Sequence, residues 1–530
     1  MRAPHPRRAR RRASAARAAL AAALTLVLAA ACGGGSDSTG PTGQESSSGT
    51  AAAEGGTLRV GVPSLSTSDS LDPAAATTTG GYVIARQLFD TLVEYGTGGQ
   101  VAMRLAESME PDPADASSWT VVLRDAVWHD GTPVTADDVV ATVQRWFSEQ
   151  LPPASSLPFI DPARVTVVDE KTVHFQLGYP TMTFPDALTS PTTAIVPASF
   201  DPATPIGSGP FKLGAMEPGT RVTFTANDDY FVEDEPYVDT LEVISFPDST
   251  SEANALIGGQ IDVASAIDPT LIPIVESGGD GFDVFEYATT GTLTWQMNVE
   301  QEPFDDPRVR QALRLAVDRD QIVEQVYAGH ASVGNDVFGP TDPAYDDTLA
   351  QREQDLDKAR ALLAEAGYPD GVDVELTAAP IQPTATRQNE VLVQQAAEAG
   401  FRITFNEVDS ATYYGDAYGT YPLSLSFWGF LSIFDQAAFT IVDNAPYNAT
   451  HWQDDEYNAL YQQAVRTVDD AERTELVHQM QAIEYDRGAY VVAVFLNSIT
   501  AHSTTVTGFE AYPNSDGPVG YNFSSLRFDG

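Results

Sequence analysis

The sequence predicts a mixed α/β protein of two or three domains, and three observations carry that prediction. The chain has 530 residues, too many to be served by one hydrophobic core. Between Trp119 and Arg145 a strand, a turn and a capped helix follow one another directly. Between Leu356 and Val408 helices alternate with single strands, the arrangement that pairs strands in parallel.

In the first stretch, Trp119 to Leu123 alternates bulky and smaller residues at the strand period of two, and Asp130-Gly131-Thr132-Pro133 supplies a turn. Thr135 then opens a helix, with its hydroxyl expected to accept the N–H of Asp138. Asp137 and Asp138 suit the positive helix start, and Val139, Val143 and Trp146 share one face. His129 and Asp130 are adjacent, a pairing that acid–base chemistry could use. Neighbours on an extended run point to opposite faces, however, and no nucleophile is tied to them, so a turn with locally satisfied polar groups is expected.

In the second stretch, Leu356, Ala359, Leu362, Leu363 and Ala366 share a helical face that Gly367 stops, and Val372 to Thr377 reads as the next strand. A helix from Thr384 to Ala399, stopped by Gly400, leads to a strand from Phe401 to Val408. Further strands are expected at Thr57 to Val62, across Val165 to Leu177 as a hairpin, at Val222 to Ala226, Thr240 to Phe246, Ile261 to Ala264 and Leu293 to Val299, with one last strand from Tyr490 to Asn497. Further helices are expected from Gly80 to Tyr95, Ser251 to Gly259, after Pro307, after Asp318, and over Asp454 to Val468 and Ala471 to Asp486. Ile206-Gly207-Ser208-Gly209-Pro210-Phe211-Lys212 has glycines but no G-x-x-x-x-G-K-[ST], and it leads to a strand, so no phosphate cradle is expected there.

The N-terminus reads as an address. Residues 1–31 hold seven arginines and no acid: Arg2 through Arg17 form a positive region, Ala18 to Ala31 an apolar one, and Ala29-Ala30-Ala31 a small-residue cleavage site directly before Cys32. The apolar run is shorter than the ~20 residues a membrane-spanning helix needs. A-A-A-C-G-G-G resembles a bacterial lipobox, which implies a lipidated Cys32 as the mature N-terminus, although Ala29 stands where leucine is usual. Cys32 is the only cysteine, so intramolecular disulfides and thiolate clusters are excluded. Gly33 to Gly56 is Gly, Ser, Thr and Ala with little else, a flexible tether. Beyond residue 31 the chain has 22 basic against 74 acidic residues, a net of −52, which excludes nucleic-acid binding and adsorption to anionic membrane.

No metal site, cofactor motif or catalytic motif stands out. None of the histidines lies three or four residues from another, and H-E-x-x-H, C-x-x-C, G-x-S-x-G and the Rossmann and Walker glycine patterns are missing. The composition suits enclosure of a solute by an apolar and aromatic cleft. Residues 413–439 are rich in Tyr, Phe and Trp; most read as core, but Trp428 ends an alternating strand of Leu423, Leu425 and Phe427, where a side chain projects into a cleft.

Three longer motifs carry a resemblance. W-H-D-G-T-P-V-T-A-D-D-V-V begins at Trp128. N-x-x-x-x-P-F-D-D-P-R-V-R-Q-A-L-x-x-A-V-D-R begins at Asn298. D-L-D-K-A-R-A-L-L-A-E-A-G-Y-P-D-G begins at Asp355. With G-S-G-P-F-K-L from Gly207, they resemble the family 5 extracellular solute-binding proteins, the dipeptide, oligopeptide and nickel receptors of ABC importers. The resemblance implies a two-lobed α/β fold of the periplasmic-binding-protein type II, with an extra subdomain in the first lobe and a hinge between lobes. It divides the chain into a lipoprotein signal peptide (1–31), a tether (32–56), lobe 1 in three segments (57–90, 200–290 and 489–530), the extra subdomain (91–199) and lobe 2 (291–488).

It further implies a monomeric receptor outside the cytoplasm, anchored to the cell membrane through Cys32, that captures a peptide-like or other medium-sized solute between the lobes and hands it to an ABC permease, without catalysis, cofactor or metal. Thr67, Ser68, Trp295, Trp428, Phe430 and Asp435 are the expected cleft residues. Peptide receptors of the family carry W-x-x-D, whose acid grips the solute's α-ammonium. Here Leu431 takes the acid's place, so either Asp435 substitutes from a shifted position or the solute lacks a free amine, and the second is favoured. The alternatives are a receptor for an oligosaccharide, modified peptide or metal complex, a receptor that signals through a partner, and a secreted hydrolase.

Overall fold

The computed structural model describes residues 55–429, 431–515 and 518–529. The leader, Cys32, Phe430 and all but the last two tether residues lie outside them. Those two, Gly55 and Gly56, are already tied down: the Gly55 N–H donates to the Tyr237 carbonyl and the Gly56 N–H to the Asp239 carboxylate, both at 2.9 Å. Their φ values of +95° and +92° are ones glycine reaches without a Cβ penalty.

Three sheets organise the rest. An eight-stranded sheet runs in the order Phe282–Ala288, Val494–Ser503, Val263–Ala264, Thr57–Val62, Thr240–Ser245, Arg221–Ala226, Phe211–Glu217, with Ala331–Val333 added beside Val494–Ser503. Thr57–Val62 pairs in parallel with two of its neighbours, and Leu58, Val60, Leu241 and Val243 are wholly buried in its core. A four-stranded antiparallel sheet holds Ala106–Asp112, Asp115–Leu123, Thr172–Gln176 and Val165–Val167. Trp119 and Trp146 pack in the core between it and the helix Ala136–Ser148. A five-stranded sheet runs Phe401–Glu407, Val372–Ala378, Leu423–Trp428, Thr292–Met297, Tyr490–Val491. Its first three strands pair in parallel, as the helix–strand alternation predicts, and Gly367 and Gly400 stop their helices at φ +99° and +105°.

The chain passes directly from one large sheet to the other, with no helix between, at Thr289–Gly291 and at Val492–Ala493, and hydrogen bonds knit these two links together. The Thr289 hydroxyl donates to the Leu496 carbonyl (2.6 Å), the Thr292 hydroxyl to that of Val494 (2.7 Å), and the Leu496 N–H to the Gly291 carbonyl (2.8 Å). Two short strands of backbone between two sheets form a hinge. The single last strand expected from Tyr490 is therefore two, one in each sheet. The break has a cause: Asp336 accepts the Val492 N–H (3.1 Å), and its own N–H donates to the Val492 carbonyl (3.2 Å).

One other expectation needs correction. The helix that begins at Thr79 ends at Leu88, not Tyr95, because the Gly207-Ser208-Gly209 segment docks on its end. The Gly209 N–H donates to the Leu88 carbonyl (3.0 Å), and a Cβ at Gly207 would overlap that oxygen. This close approach is why the glycines are there. At Thr135 the expected cap is one half of a capping box: the Asp138 N–H meets the Thr135 side chain and carbonyl, and the Thr135 N–H and hydroxyl both donate to the Asp138 carboxylate at 2.9 Å. His129 is a structural latch; the Gly207 N–H donates to Nδ1 (3.2 Å), and Nε2 faces the Gly209 carbonyl at 3.0 Å. Burial pushes its pKa down to about 4, so it stays neutral near pH 7. No described helix is long and apolar enough to cross a membrane.

Candidate functional site

Asp435 is the residue around which a site can be built. It lies in the first turn of the helix Ile433–Thr440, capped by Ser432. The Ser432 hydroxyl accepts the Asp435 N–H (3.1 Å) and donates to its carboxylate (2.9 Å), and the Tyr95 hydroxyl reaches the same carboxylate oxygen at 3.4 Å. The helix start favours an anion there. Its neighbour Asp342 accepts the Ile433 N–H (3.2 Å) and the Ala344 N–H (2.9 Å). Facing them is Asp186, on the single turn Asp186–Leu188 that follows the four-stranded sheet.

The electrostatics of this group are unusual. Burial first, and then the charges of Asp435 and Asp342, hold Asp186 above the ordinary carboxylate range, at about 8. Burial raises Asp435 to about 6, with the Ser432 and Tyr95 hydrogen bonds opposing and Asp342 adding; burial raises Asp342 as well. Among the described residues none of the three forms an ion pair; the cation whose field reaches Asp186 and Asp342 is Arg473, which is itself paired with Asp470. Like charges gathered out of water without a counter-ion resist ionisation. What such a group lacks is a cation.

The acids border two adjoining cavities. One, of about 260 Å³, is lined by Asp435, Asp186, Tyr95, Leu431, Phe439 and Arg86 among others. The other, of about 320 Å³, shares Tyr95 and Asp186 and adds Asp342 and Arg473. Together they fall in the range of small-molecule pockets, ~300–1,000 Å³. Arg86 lies apart from the acids: it donates to the Thr189 carbonyl (2.8 Å) and stands 3.8 Å from Glu94. The first cavity thus carries both signs of charge. A further cavity of about 290 Å³ at the hinge strand is mostly apolar, with its His330 engaged by Glu286 at 2.8 Å.

The expected cleft residues scatter. Asp435 and Leu431 line the first cavity. Trp428 ends the strand Leu423–Trp428 opposite Thr292, half-buried and beside Tyr447, but borders neither acidic cavity. Thr67 and Ser68 are exposed on their loop, where the Ser66 and Ser68 hydroxyls bond each other at 2.7 Å and Thr67 rests on the Gly219 turn. Trp295 has to be withdrawn: it is 0% exposed in the core of the five-stranded sheet, and its indole N–H donates to Asn389 (2.8 Å). Its strand is covered on both faces, so the alternation that would aim it at a cleft aims it at a helix instead. Asp72 is bidentate to Arg145 (2.6 and 2.8 Å) and caps the turn after it. Asp186, Tyr95, Asp342 and Arg86 were not foreseen, since each stands in an unremarkable local sequence and acquires meaning only from the others.

Comparison with known proteins completes the picture. The model of the bacterial extracellular solute-binding proteins, family 5 Middle, matches residues 100–449. The chain is 29% identical over 462 residues to di/tripeptide-binding protein 1 of Pseudomonas aeruginosa (strain UCBPP-PA14), covering 78% of this chain and 84% of the relative. It is 26% identical over 472 residues to the glutathione-binding protein GsiB of Escherichia coli (strain K12), covering 84% and 90%. Among solved structures, the binding protein AgaA from A. tumefaciens R10, in complex with agropinic acid, matches with a TM-score of 0.72 at 27% identity, over 90% of this chain and 99% of that one. The likeness extends across both large sheets and the four-stranded one, and the matched family model spans the Trp128, Gly207, Asn298 and Asp355 motifs. The chain therefore belongs to the family 5 bacterial extracellular solute-binding proteins, as a two-lobed type II receptor of an ABC importer and not an enzyme.

Proposed function

We propose that this receptor captures a peptide-like solute by its free amino group, held between Asp435 and Asp186, with Arg86 available to the solute's carboxylate. The observation that carries the reading is the pair of acids facing one cavity, neither of them ion-paired among the described residues. An ammonium placed between them would form charge-assisted hydrogen bonds, the strong kind. Leu431 favoured the opposite alternative, a solute without the amine; the position of Asp435, four residues further on, supports substitution instead. Relatives named for di- and tripeptides and for glutathione support a solute of this size.

The same geometry supports a mechanism. Asp186 belongs with the four-stranded sheet and Asp435 with the five-stranded one, so in the proposed division the pair spans the first and second lobes. Ionised and unliganded, the two repel; bridged by an ammonium, they attract. A solute then favours the closed state by contacts it makes only there, and the hinge at Thr289–Gly291 and Val492–Ala493 accommodates the motion. Delivery to a permease, export through the leader, anchoring by lipidated Cys32 and a monomeric state complete the proposal. They rest on the sequence pattern of residues 1–56 and on the family.

Native mass spectrometry of the purified protein, followed by denaturation and identification of released molecules, tests the solute class. Calorimetry with Ala-Ala and its N-acetylated form tests the anchor. Blocking the amine should weaken binding at least tenfold; equal affinity for both forms would remove the ammonium from the proposal.

A further inference from the structure

We propose that a run of aromatic rings beside the acidic cavity is a second subsite, which takes an aromatic side chain of the solute; this rests on the peptide reading above. The run begins at Phe439, which lines that cavity. Its ring centroid stands 6.2 Å from that of Tyr447, and Tyr447 stands 6.2 Å from Trp428, with interplanar angles of 52° and 56°. Tyr447 and Tyr418 both line the next cavity, of about 320 Å³, and Tyr418 continues to Tyr414 at 5.7 Å. Rings at such distances and tilts attract one another and leave faces and edges for a further ring.

Two features separate this run from ordinary core. The first is exposure: Tyr447 is 51% and Tyr414 50% exposed, among the few large apolar side chains of the described chain left so open. The second is polar. The indole nitrogen of Trp428 is buried and finds no acceptor among the described residues; that of Trp295 is bonded to Asn389, and that of Trp146 shares the lack but lies in the core, away from the exposed rings. A buried donor without an acceptor costs free energy. An aromatic residue within a peptide brings what both features lack, a ring to lie against Tyr447 and a backbone carbonyl for Trp428. Phe439 belongs both to this run and to the lining of the cavity that holds the proposed ammonium site, which sets the two subsites side by side.

Calorimetry on the purified protein with Phe-Ala, Ala-Phe, Ala-Ala and N-acetylphenylalaninamide tests this. An aromatic dipeptide should bind about tenfold more tightly than Ala-Ala. Tyr447→Ala should bring that ratio close to one, and Tyr447→Phe should preserve it, since the ring and not the hydroxyl makes the contact. Equal wild-type affinities for the three dipeptides overturn the subsite, as does a ratio that Tyr447→Ala leaves unmoved. The amine-free N-acetylphenylalaninamide separates the two proposals: binding that Tyr447→Ala abolishes upholds the aromatic subsite even where the ammonium site fails. No binding by any of the four overturns both.

Discussion

Two clusters of charge in this molecule have opposite designs, one wholly buried and one half-buried beside a cavity. At Asp336 one wholly buried carboxylate meets three guanidiniums: Arg319 bonds it at 2.7 and 2.8 Å, Arg352 approaches to 2.6 Å and Arg314 to 3.9 Å. Burial raises its pKa but the three arginines outweigh it, and the carboxyl sits below its ordinary range. At Asp435 and Asp186 two carboxylates face one cavity with no guanidinium paired to either among the described residues, and both are raised. Desolvation is unfavourable in both places; what differs is whether the protein supplies the counter-charge. A cluster that is complete holds strands together, here the break between the two sheets. A cluster left incomplete is suited to a partner that comes and goes.

Substitutions sharpen the contrast, beginning where the effect should be largest. Asp336→Ala leaves three guanidiniums facing one another and should cost ~3–5 kcal/mol of unfolding free energy; a loss below ~1 kcal/mol in denaturant titration would mean that the backbone carbonyls around the arginines suffice. Trp295→Ala, which empties a packed core site, should cost ~3–5 kcal/mol. By contrast, Asp435→Asn should leave stability unchanged or raise it, while weakening a free-amine solute by ~1.5–3 kcal/mol, a factor of ten or more. If instead it unfolds the protein, Asp435 belongs with Asp336 and the contrast fails.

Acidity separates the clusters without mutation. Asp186 and Asp435 have folded pKa values of about 8 and about 6, above the ordinary 3.8. The stability they carry is therefore complete below 3.8 and is lost as pH rises through 6 and 8. Asp336, with its pKa depressed, contributes stability above 3.8 that is lost on acidification. Thermal unfolding of the ligand-free Asp186→Asn protein should consequently differ most from wild type near pH 8 and least near pH 4. Solute affinity should run the other way and rise from pH 5 to 8, because the ammonium needs ionised acids; release of protons on binding, read by calorimetry in two buffers, checks the sign. Glu252 offers the same test away from the site: it is wholly buried under Gly61, and burial lifts its pKa to about 8 against opposition from the Ser265 and Ala266 backbone. Glu252→Gln should stabilise the protein at pH 9, by up to ~1.4 kcal/mol for each unit of that rise, and not at pH 4; an equal effect at both would indicate packing, not charge.

The elements themselves were largely legible. Periodicity, caps and stops located the helix opened by Pro307, the helices stopped by Gly367 and Gly400, and the parallel strands between them, because each signal lies within a few residues of the element it governs. Where the reading went wrong, a distant segment intervened: Gly209 ends the helix at Leu88, and Asp336 breaks the last strand at Val492. The site was barely legible. Asp435 was reached through its spacing from Trp428, but nothing near Asp186 or Tyr95 distinguishes either from a surface acid or a core tyrosine.

What the sequence determined by itself is the mixed α/β architecture and, through its longer motifs, the family, since local backbone preferences and runs of side chains are written in consecutive residues. What only the tertiary structure decided is which side chains face each other. Tyr95, Asp186, Asp342 and Asp435 come from four separate parts of the chain, and the hydrogen bonds between the two direct links of the sheets join residues about 200 positions apart. A carboxylate acquires its raised pKa, and a tryptophan its place in core or cleft, from neighbours that the fold brings within a few ångströms, and no local pattern records them.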